Sequence, residues 1–224
     1  MLPRFTSRSS MLVLLTGIWA IALVSSGTAE EPAKKYDSVE ILFDGKSLGK
    51  WQRGDFGKEG TVEVKDGQLL IGRGSPMNGI VWRGGELPKS NYEIVMEAQR
   101  VEGADFFATV TFPVKDSACS LVLGGWGGGL IGLSSLNGID ASENETLGYY
   151  EFKNGQWYQI RIQVLDDRIL CWIDDKEIVN VDISDKEIGI RIEMEFCRPL
   201  GVASYRTTGA VRKLTLQRLT AKKS

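Results

Sequence analysis

The chain has 224 residues, with 27 lysines and arginines against 29 aspartates and glutamates and a formal net charge of −2 at pH 7. This mildly acidic, evenly mixed charge argues against nucleic acid as a partner. The chain contains no histidine. This excludes Ser-His-Asp and Cys-His nucleophilic sites and every zinc site that needs imidazole.

The first 29 residues have the composition of an export signal. Arg4 and Arg8 give a basic start, residues 11–24 are almost entirely apolar, and small residues follow up to Ala29. This predicts a signal peptide over residues 1–29 with cleavage near Ala29, and hence a secreted or periplasmic protein. The apolar run is short for a membrane span, so none is expected. We further expect a lead-in over 30–38, one domain over 39–220 and a tail over 221–224.

From residue 39 onward, short alternating apolar runs are separated by Gly, Asn and Asp. The spacing leaves no room for a long helix. The predicted strands are 39–43, 61–64, 68–72, 79–83, 92–100, 106–112, 119–124, 130–134, 148–152, 157–164, 168–173, 176–181, 187–194, 202–207 and 211–219. So many strands in one domain predict an all-β jelly-roll sandwich of two antiparallel sheets.

The predicted strand 187–194 has an apolar residue at every second position, including Ile192 and Met194, which would face the core. Arg191, Glu193 and Glu195 would then share the opposite face. They would form either a row of solvent-exposed ion pairs or a polar face that binds a polyhydroxylated ligand. Glu193 and Glu195 would lie roughly 6–7 Å apart, between the retaining and inverting glycosidase separations.

Three cysteines, Cys119, Cys171 and Cys197, leave the disulfide question open. In an oxidising compartment, two of the three cysteines could form a disulfide and the third would remain a free thiol. Because Cys119 and Cys171 lie in predicted strands, we expect at least one buried free thiol.

Residues 124–129 are five glycines around Trp126. Glycine lets a ligand or another backbone approach the main chain closely, and an indole offers a flat face with one N–H donor. The tract suits the binding of a sugar ring, although the same sequence would also fit a buried tryptophan at a sharp corner of the sandwich.

Lectins built on a β-sandwich of this kind commonly hold a sugar with an aspartate, an asparagine, a glycine backbone N–H and an aromatic plate. The substrate-binding residues predicted on this basis are Trp126, Gly125, Gly127, Asn144 and Asp140, with Asp105 as the carboxylate. The oxygen-rich stretch from Asp140 to Glu145 is also a candidate site for calcium or another divalent cation, although its spacing matches no EF-hand loop.

The framework motifs are LFDGKSLGKW at 42–51, VKDGQL at 64–69, NGQWYQIRI at 154–162 and a closing strand at 211–219. Together they resemble the 3-keto-disaccharide hydrolase domain family, over about residues 39–220. The resemblance implies a secreted concanavalin-A-like, laminin-G-like sandwich that acts on or binds a saccharide. Residues 105–114 and 124–129 depart from the commoner family pattern, which indicates a divergent subgroup.

If the domain is an enzyme, the resemblance implies cleavage of a 3-keto-glycoside by elimination. A base would remove the proton next to the ketone, and the glycosidic bond would leave. The candidate bases are Asp105, Glu145 and Glu151, and Arg161 or a metal would polarise the ketone. The alternative is a non-catalytic carbohydrate-binding or structural sandwich.

Overall fold

The computed structural model describes residues 36–57 and 60–220, and the predicted signal peptide and tail lie outside them. Fifteen strands and two short helical turns make up this part of the chain. The first eight strands are β1 (Tyr36–Ile41), β2 (Trp51–Arg53), β3 (Val62–Lys65), β4 (Gln68–Ile71), β5 (Met77–Trp82), β6 (Tyr92–Glu102), β7 (Thr109–Val114) and β8 (Ser117–Gly124). The remaining strands are β9 (Leu130–Ser134), β10 (Gly148–Tyr149), β11 (Trp157–Val164), β12 (Arg168–Ile173), β13 (Lys176–Asp182), β14 (Gly201–Tyr205) and β15 (Thr208–Leu219).

The strands form two antiparallel sheets, which confirms the predicted all-β sandwich. The eight-stranded sheet has the order β13-β12-β11-β6-β15-β4-β3, with β1 added alongside β15. The seven-stranded sheet has the order β10-β9-β8-β7-β14-β5-β2. Some neighbours, such as β6 and β15 or β14 and β5, come from distant parts of the chain, so residues far apart in sequence meet on one sheet face.

The main core lies between the two sheets. Alternate residues of most strands enter it, such as Ile160 and Ile162 from β11 and Val110 and Phe112 from β7. In the hairpin of β12 and β13, Ile169, Cys171 and Ile173 are buried together, as the alternation predicts.

The seven-stranded sheet is buried on its outer face as well. Every residue of β5, β7 and β9 is buried, which a sheet with one solvated face would not show. A second apolar cluster of Met77, Met194, Cys197 and Ala203 lies apart from the main core. The 3₁₀ helix Ile192–Cys197 supplies two of these residues and touches β5 and β14, so it covers part of the outer face.

The prediction of a strand over 187–194 is wrong. Its first half bonds to the loop after β9, where Gly189 and Ser135 exchange backbone hydrogen bonds. The second half turns into the 3₁₀ helix, and Ile192, expected in the core, is 81% exposed. Met194 is buried, but under the helix and against β5 and β14. Period-2 alternation cannot distinguish a strand from an irregular segment that lies on a sheet.

All three cysteines are free and buried. Burial raises the pKa of the Cys119 thiol and of the Cys197 thiol to about 12. Among the described residues, no helix is long and apolar enough to cross a membrane.

Candidate saccharide pocket

A cavity of about 370 Å³ lies over the outer face of the seven-stranded sheet. Its floor comes from the strands, with Thr109, Ser120 and Val122 on one side and Met77 and Tyr205 on the other. Thr109 of β7 pairs with Ala203 of β14, and Tyr205 of β14 pairs with Met77 of β5, so the two sides belong to one continuous sheet surface.

Two walls rise from this floor. Asp105, Phe106 and Trp126 form one wall, and Arg191, Glu193 and Met194 form the other. The residues from Gly124 to Gly129, hereafter the Trp126 turn, join β8 to β9. Arg191 precedes the 3₁₀ helix, and Glu193 and Met194 lie within it.

The backbone of the Trp126 turn holds the indole outward. Trp126 has φ +48° and ψ +52°, and Gly124 and Gly127 also have positive φ. A left-handed conformation costs a non-glycine residue about 1–2 kcal/mol, so the surrounding structure must hold this geometry. Trp126 is 51% exposed and lines the pocket. It is therefore not the buried corner tryptophan that the sequence left open.

Asp105 is fixed against the same turn. Its Oδ1 accepts the Phe106 N–H at 2.8 Å, and its Oδ2 accepts the Gly127 N–H at 3.4 Å. Its own N–H donates to Thr207 Oγ1 at 3.1 Å. The predicted carboxylate, the bare glycine backbone and the aromatic plate therefore lie side by side.

Arg100 supports the turn from below. Its Nη1 donates to the carbonyl of Gly128 at 3.1 Å, and its Nε donates to Asn154 Oδ1 at 2.7 Å. A Cβ on Gly128 would lie 2.9 Å from both the Ala104 carbonyl oxygen and this guanidinium, so the close approach requires glycine there.

The opposite wall is held by Arg191, which ion-pairs with Asp140 and Glu193. Arg191 Nη2 lies 3.0 Å from Glu193 Oε1, and Arg191 Nη1 contacts Asp140 Oδ2. Asp140 is itself anchored because its Oδ1 accepts hydrogen bonds from the Ser134 hydroxyl and the Ala141 N–H, both at 2.7 Å. The hydrogen bond from Arg191 lowers the pKa of Glu193, so Glu193 presents a carboxylate.

The pocket floor carries an unsatisfied hydroxyl. Thr109 is 2% exposed, and its Oγ1 has no hydrogen-bond partner among the described residues. The neighbouring Ser120 hydroxyl is paired with Thr111 Oγ1 at 2.8 Å. A buried polar group without a partner destabilises a fold, and a bound hydroxyl group would satisfy it.

The other predicted binding residues lie behind the pocket surface. Gly125 is buried and bridges to Leu130 across the base of the turn. Asn144 is also buried: its amide donates to the carbonyls of Leu133 and Ile139, and its oxygen accepts from Thr146. Asp140 contributes through Arg191.

Three of the four predicted catalytic residues do not line the pocket. Glu145 pairs with Lys186 at 2.6 Å, and Glu151 is exposed. Arg161 belongs to β11 of the other sheet, where its guanidinium lies 4.3 Å from the centroid of the Trp172 ring. Only Asp105 faces the cavity.

Most polar side chains of the predicted cation-binding loop, residues 140–145, already form hydrogen bonds or ion pairs within the protein. Asp140, Asn144 and Glu145 all have protein partners, as described above. Within residues 36–57 and 60–220, no group of three or more His, Cys, Asp or Glu side chains could hold a metal ion.

Thr109, Ser120, Met77 and Tyr205 also line the pocket, although they are not among the predicted site residues. A weak signal was present: Thr109, Thr111 and Ser120 place hydroxyls at alternate positions of two otherwise apolar strands. These hydroxyls indicate that one face of the two strands is more polar than the face that packs in the core. The pairing of β14 with β5 and β7, which brings Tyr205 and Met77 to the same surface, has no local sequence signal.

Comparisons with solved structures find the same fold at low sequence identity. A putative glycosyl hydrolase from Parabacteroides distasonis ATCC 8503 has a TM-score of 0.52 at 13% identity, covering 81% of this chain and 94% of the other. Crh5 transglycosylase in complex with NAG has a TM-score of 0.55 at 10% identity, covering 84% and 86%. The exoplasmic/lumenal domain of VIP36, bound to Ca²⁺ and Man3GlcNAc, has a TM-score of 0.51 at 10% identity, covering 82% and 90%.

A search of curated protein sequences finds no match. The family model of the 3-keto-alpha-glucoside-1,2-lyase-like domain matches residues 38–217, which include every strand that lines the pocket. This match confirms the resemblance seen in the framework motifs. The chain belongs to the 3-keto-alpha-glucoside-1,2-lyase-like domain family.

Proposed function

We propose that the pocket between the Trp126 turn and the 3₁₀ helix binds one sugar ring of a glycoside. The observation that carries this proposal is the half-exposed Trp126, held at the cavity in a left-handed backbone next to the Asp105 carboxylate. The indole would stack on the C–H face of the ring. Asp105 would accept hydrogen bonds from ring hydroxyls.

The remaining polar groups suit a polyhydroxylated ligand. Glu193 would accept hydrogen bonds, Arg191 would donate them, and the unpaired Thr109 hydroxyl would do either. The names of the similar structures support this proposal, since one is a transglycosylase in complex with NAG and another is bound to Man3GlcNAc.

Binding is tested by calorimetric titration with methyl α-glucoside, maltose and their 3-keto forms. Trp126→Ala should weaken binding about thirtyfold, the equivalent of about 2 kcal/mol for a stacking residue at the centre of a site. Trp126→Phe should restore part of the affinity. Equal affinities in the wild type and Trp126→Ala would contradict the proposed site.

A second candidate function, cleavage of a 3-keto-glycoside, is favoured by the family description and by the position of Asp105. Asp105 would accept the C2 proton next to the C3 ketone, the C2–H electrons would form the C1–C2 double bond, and the C1–O bond would break. The departing oxygen would take a proton from solvent. Arg191 would stabilise the negative charge that develops on the ketone oxygen. Among the predicted bases, only Asp105 lines the cavity, and Arg191 takes the role first given to Arg161.

Turnover distinguishes the enzyme from the binding module. Asp105→Asn keeps the side-chain shape and one acceptor oxygen but removes the base. It should lower kcat on methyl 3-keto-α-glucoside at least about a hundredfold, the lower range for general base catalysis. Glu151→Gln, an exposed carboxylate away from the pocket, should keep the wild-type rate. Binding by the wild type without any turnover would leave the module as a saccharide binder.

We also propose that residues 1–29 direct export and are removed near Ala29, which would make the mature protein secreted or periplasmic. The support is the basic, apolar and small-residue order of the sequence. Amino-terminal sequencing of protein recovered from the exported fraction should begin at Glu30. A mature protein that keeps Met1 would contradict this proposal.

A further inference from the structure

The pocket has two chemically different halves. Glu193, Arg191 and Ser120 lie toward β8. Arg191 forms an ion pair with Asp140, and Asp140 accepts a hydrogen bond from Ser134 of β9. Ser134 is in turn the cross-strand partner of Ser120 in β8. Toward β14 and β5, the lining changes to Met77, Met194 and Tyr205, and Phe106 lies between the two halves because it packs against both outer apolar clusters. A ligand that fills the cavity must therefore present a polar end and an apolar end.

The apolar half is the exposed margin of the second hydrophobic cluster. Met77 and Met194 are buried members of that cluster, and Phe106 and Tyr205 pack against it as partly buried residues. The Phe106 and Tyr205 rings lie 5.6 Å apart between centroids, tilted by 40°. Two thioethers and two aromatic rings form this wall, and its only hydroxyl is that of Tyr205. The wall therefore has few hydrogen-bonding groups for the hydroxyls of a second sugar.

We infer that the pocket accepts a glycoside whose aglycone is apolar, an aryl or alkyl group, rather than a second sugar. This inference rests on the proposed saccharide site and names its substrate class. The sugar would stack on Trp126 beside Asp105, with the aglycone against Met194, Met77 and Tyr205. Methionine side chains adapt to irregular shapes and make favourable contacts with aromatic rings, so the wall suits a planar aglycone. A volume of about 370 Å³, near the lower end of the range for small-ligand pockets, suits a sugar with one small substituent.

The test compares three ligands that share the glucosyl unit: methyl α-glucoside, phenyl α-glucoside and maltose, each also as its 3-keto form. Calorimetric titration of the full chain should give at least about tenfold tighter binding for the phenyl glycoside than for the methyl glycoside. Maltose should bind no more tightly than the methyl glycoside.

Met194→Ala should reduce the ratio of phenyl to methyl affinity several-fold, because it removes apolar contact on the aglycone side. Met194→Leu, which keeps the volume, should preserve most of the ratio. Ile192→Ala is the matched control, because Ile192 lies on the same 3₁₀ helix but is 81% exposed and does not line the pocket. It should leave the ratio unchanged.

The outcomes separate this inference from the saccharide site itself. Equal affinity for methyl and phenyl glycosides, with both lost in Trp126→Ala, would overturn the apolar aglycone and keep the sugar site. Preference for maltose would also overturn it. A phenyl preference that survives Met194→Ala would place the aglycone elsewhere and overturn the assignment. Failure of all three ligands to bind in either form would overturn the saccharide site and the inference with it.

Discussion

Trp126 combines three properties that are seldom found together in a core residue. Its side chain is half-exposed, its backbone is left-handed, and its neighbours on both sides are glycines. A tryptophan needed only for packing would gain more free energy by complete burial. The strained turn therefore places the indole at the cavity at some cost in stability, as occurs at ligand sites.

The backbone of the turn can be tested with Gly127→Ala. Gly127 has φ +89°, and a Cβ there would meet nothing within 4 Å, so the cost is conformational, about 1–2 kcal/mol in the free energy of unfolding. Because its N–H contacts Asp105, we also expect at least a threefold loss of affinity for methyl α-glucoside or its 3-keto form.

Gly138→Ala is the matched control for this change. Gly138 has φ +72° and equally open surroundings, but it lies outside the pocket. It should lose a similar free energy of unfolding, measured by urea titration, and keep the wild-type affinity. Equal affinities in the two variants would show that the turn geometry does not serve the site.

At the scale of elements, the 3₁₀ helix matters because it forms one wall of the pocket while lying outside both sheets. Arg191 fixes its start to the loop after β9 through Asp140, and Glu193 adds a second ion pair. The wall therefore depends on charge in addition to the burial of Met194.

The Arg191–Glu193 pair predicts a pH dependence of stability. The pKa of Glu193 is lowered in the folded protein by the hydrogen bond from Arg191, so its contribution is present above the unfolded pKa and is lost as pH falls through the folded value. Arg191→Gln removes the ion pairs with both Asp140 and Glu193, and the loss of the Glu193 pair should cost up to about 1 kcal/mol at pH 7, since Glu193 is about half exposed. The difference from wild type should shrink between pH 5 and about pH 3.

Urea unfolding at a series of pH values measures this difference. Arg198→Gln removes the exposed ion pair with Glu195 at the other end of the same helix. It measures how much an ordinary surface pair contributes to the free energy of unfolding. A difference between Arg191→Gln and wild type that is constant from pH 7 to pH 3 would contradict the role of the pair.

Most strands could be predicted from the sequence because two-residue alternation reflects burial on one face. The hairpin of β12 and β13 is a clear case, with Asp174 at positive φ in its turn. β2 cannot be predicted in this way because Trp51–Arg53 is too short to show a period. The conformation of 187–194 cannot be predicted either, because its partners, Ser135 and Asp140, come from a loop about fifty residues away.

The candidate site could be predicted only where its residues are close to the glycine tract or unusual in type. Trp126, Gly127 and Asp105 meet these conditions. Thr109, Met77 and Tyr205 reach the same cavity through pairings among β5, β7 and β14, which tertiary packing decides. Glu145 and Glu151 have suitable chemistry for a base, but the fold carries them away from the cavity.

At the scale of the whole molecule, the described part of the sandwich has apolar clusters in two layers, one between the sheets and one on the outer face of the seven-stranded sheet. The main core contains Cys119 and Cys171, and the second cluster contains Cys197. All three thiols are therefore sealed inside packed regions that open only on unfolding.

Thiol titration with an aromatic disulfide reagent tests this packing. Native protein should give no reaction within minutes, because burial excludes the reagent and raises the pKa of Cys119 and Cys197 to about 12. In denaturant without reductant, all three cysteines should react. Reaction of fewer than three would reveal a disulfide, and rapid reaction of native protein would show that one layer is open.

The two layers also separate the framework of the family from the pocket. The main core depends on strand alternation, whereas the pocket depends on loops and on the outer face of one sheet. Changes in residues 105–114 and 124–129 can therefore alter the ligand without altering the fold.

The measurement that tests the central claim most directly is titration of wild type, Trp126→Ala and Tyr149→Ala with the same glucosides and their 3-keto forms. Tyr149 is 73% exposed on β10 but does not line the cavity, so it controls for the loss of an exposed aromatic ring. We predict binding by the wild type and Tyr149→Ala, and about thirtyfold weaker binding by Trp126→Ala. Equal binding by all three proteins, or no binding by the wild type, would contradict a saccharide site at Trp126.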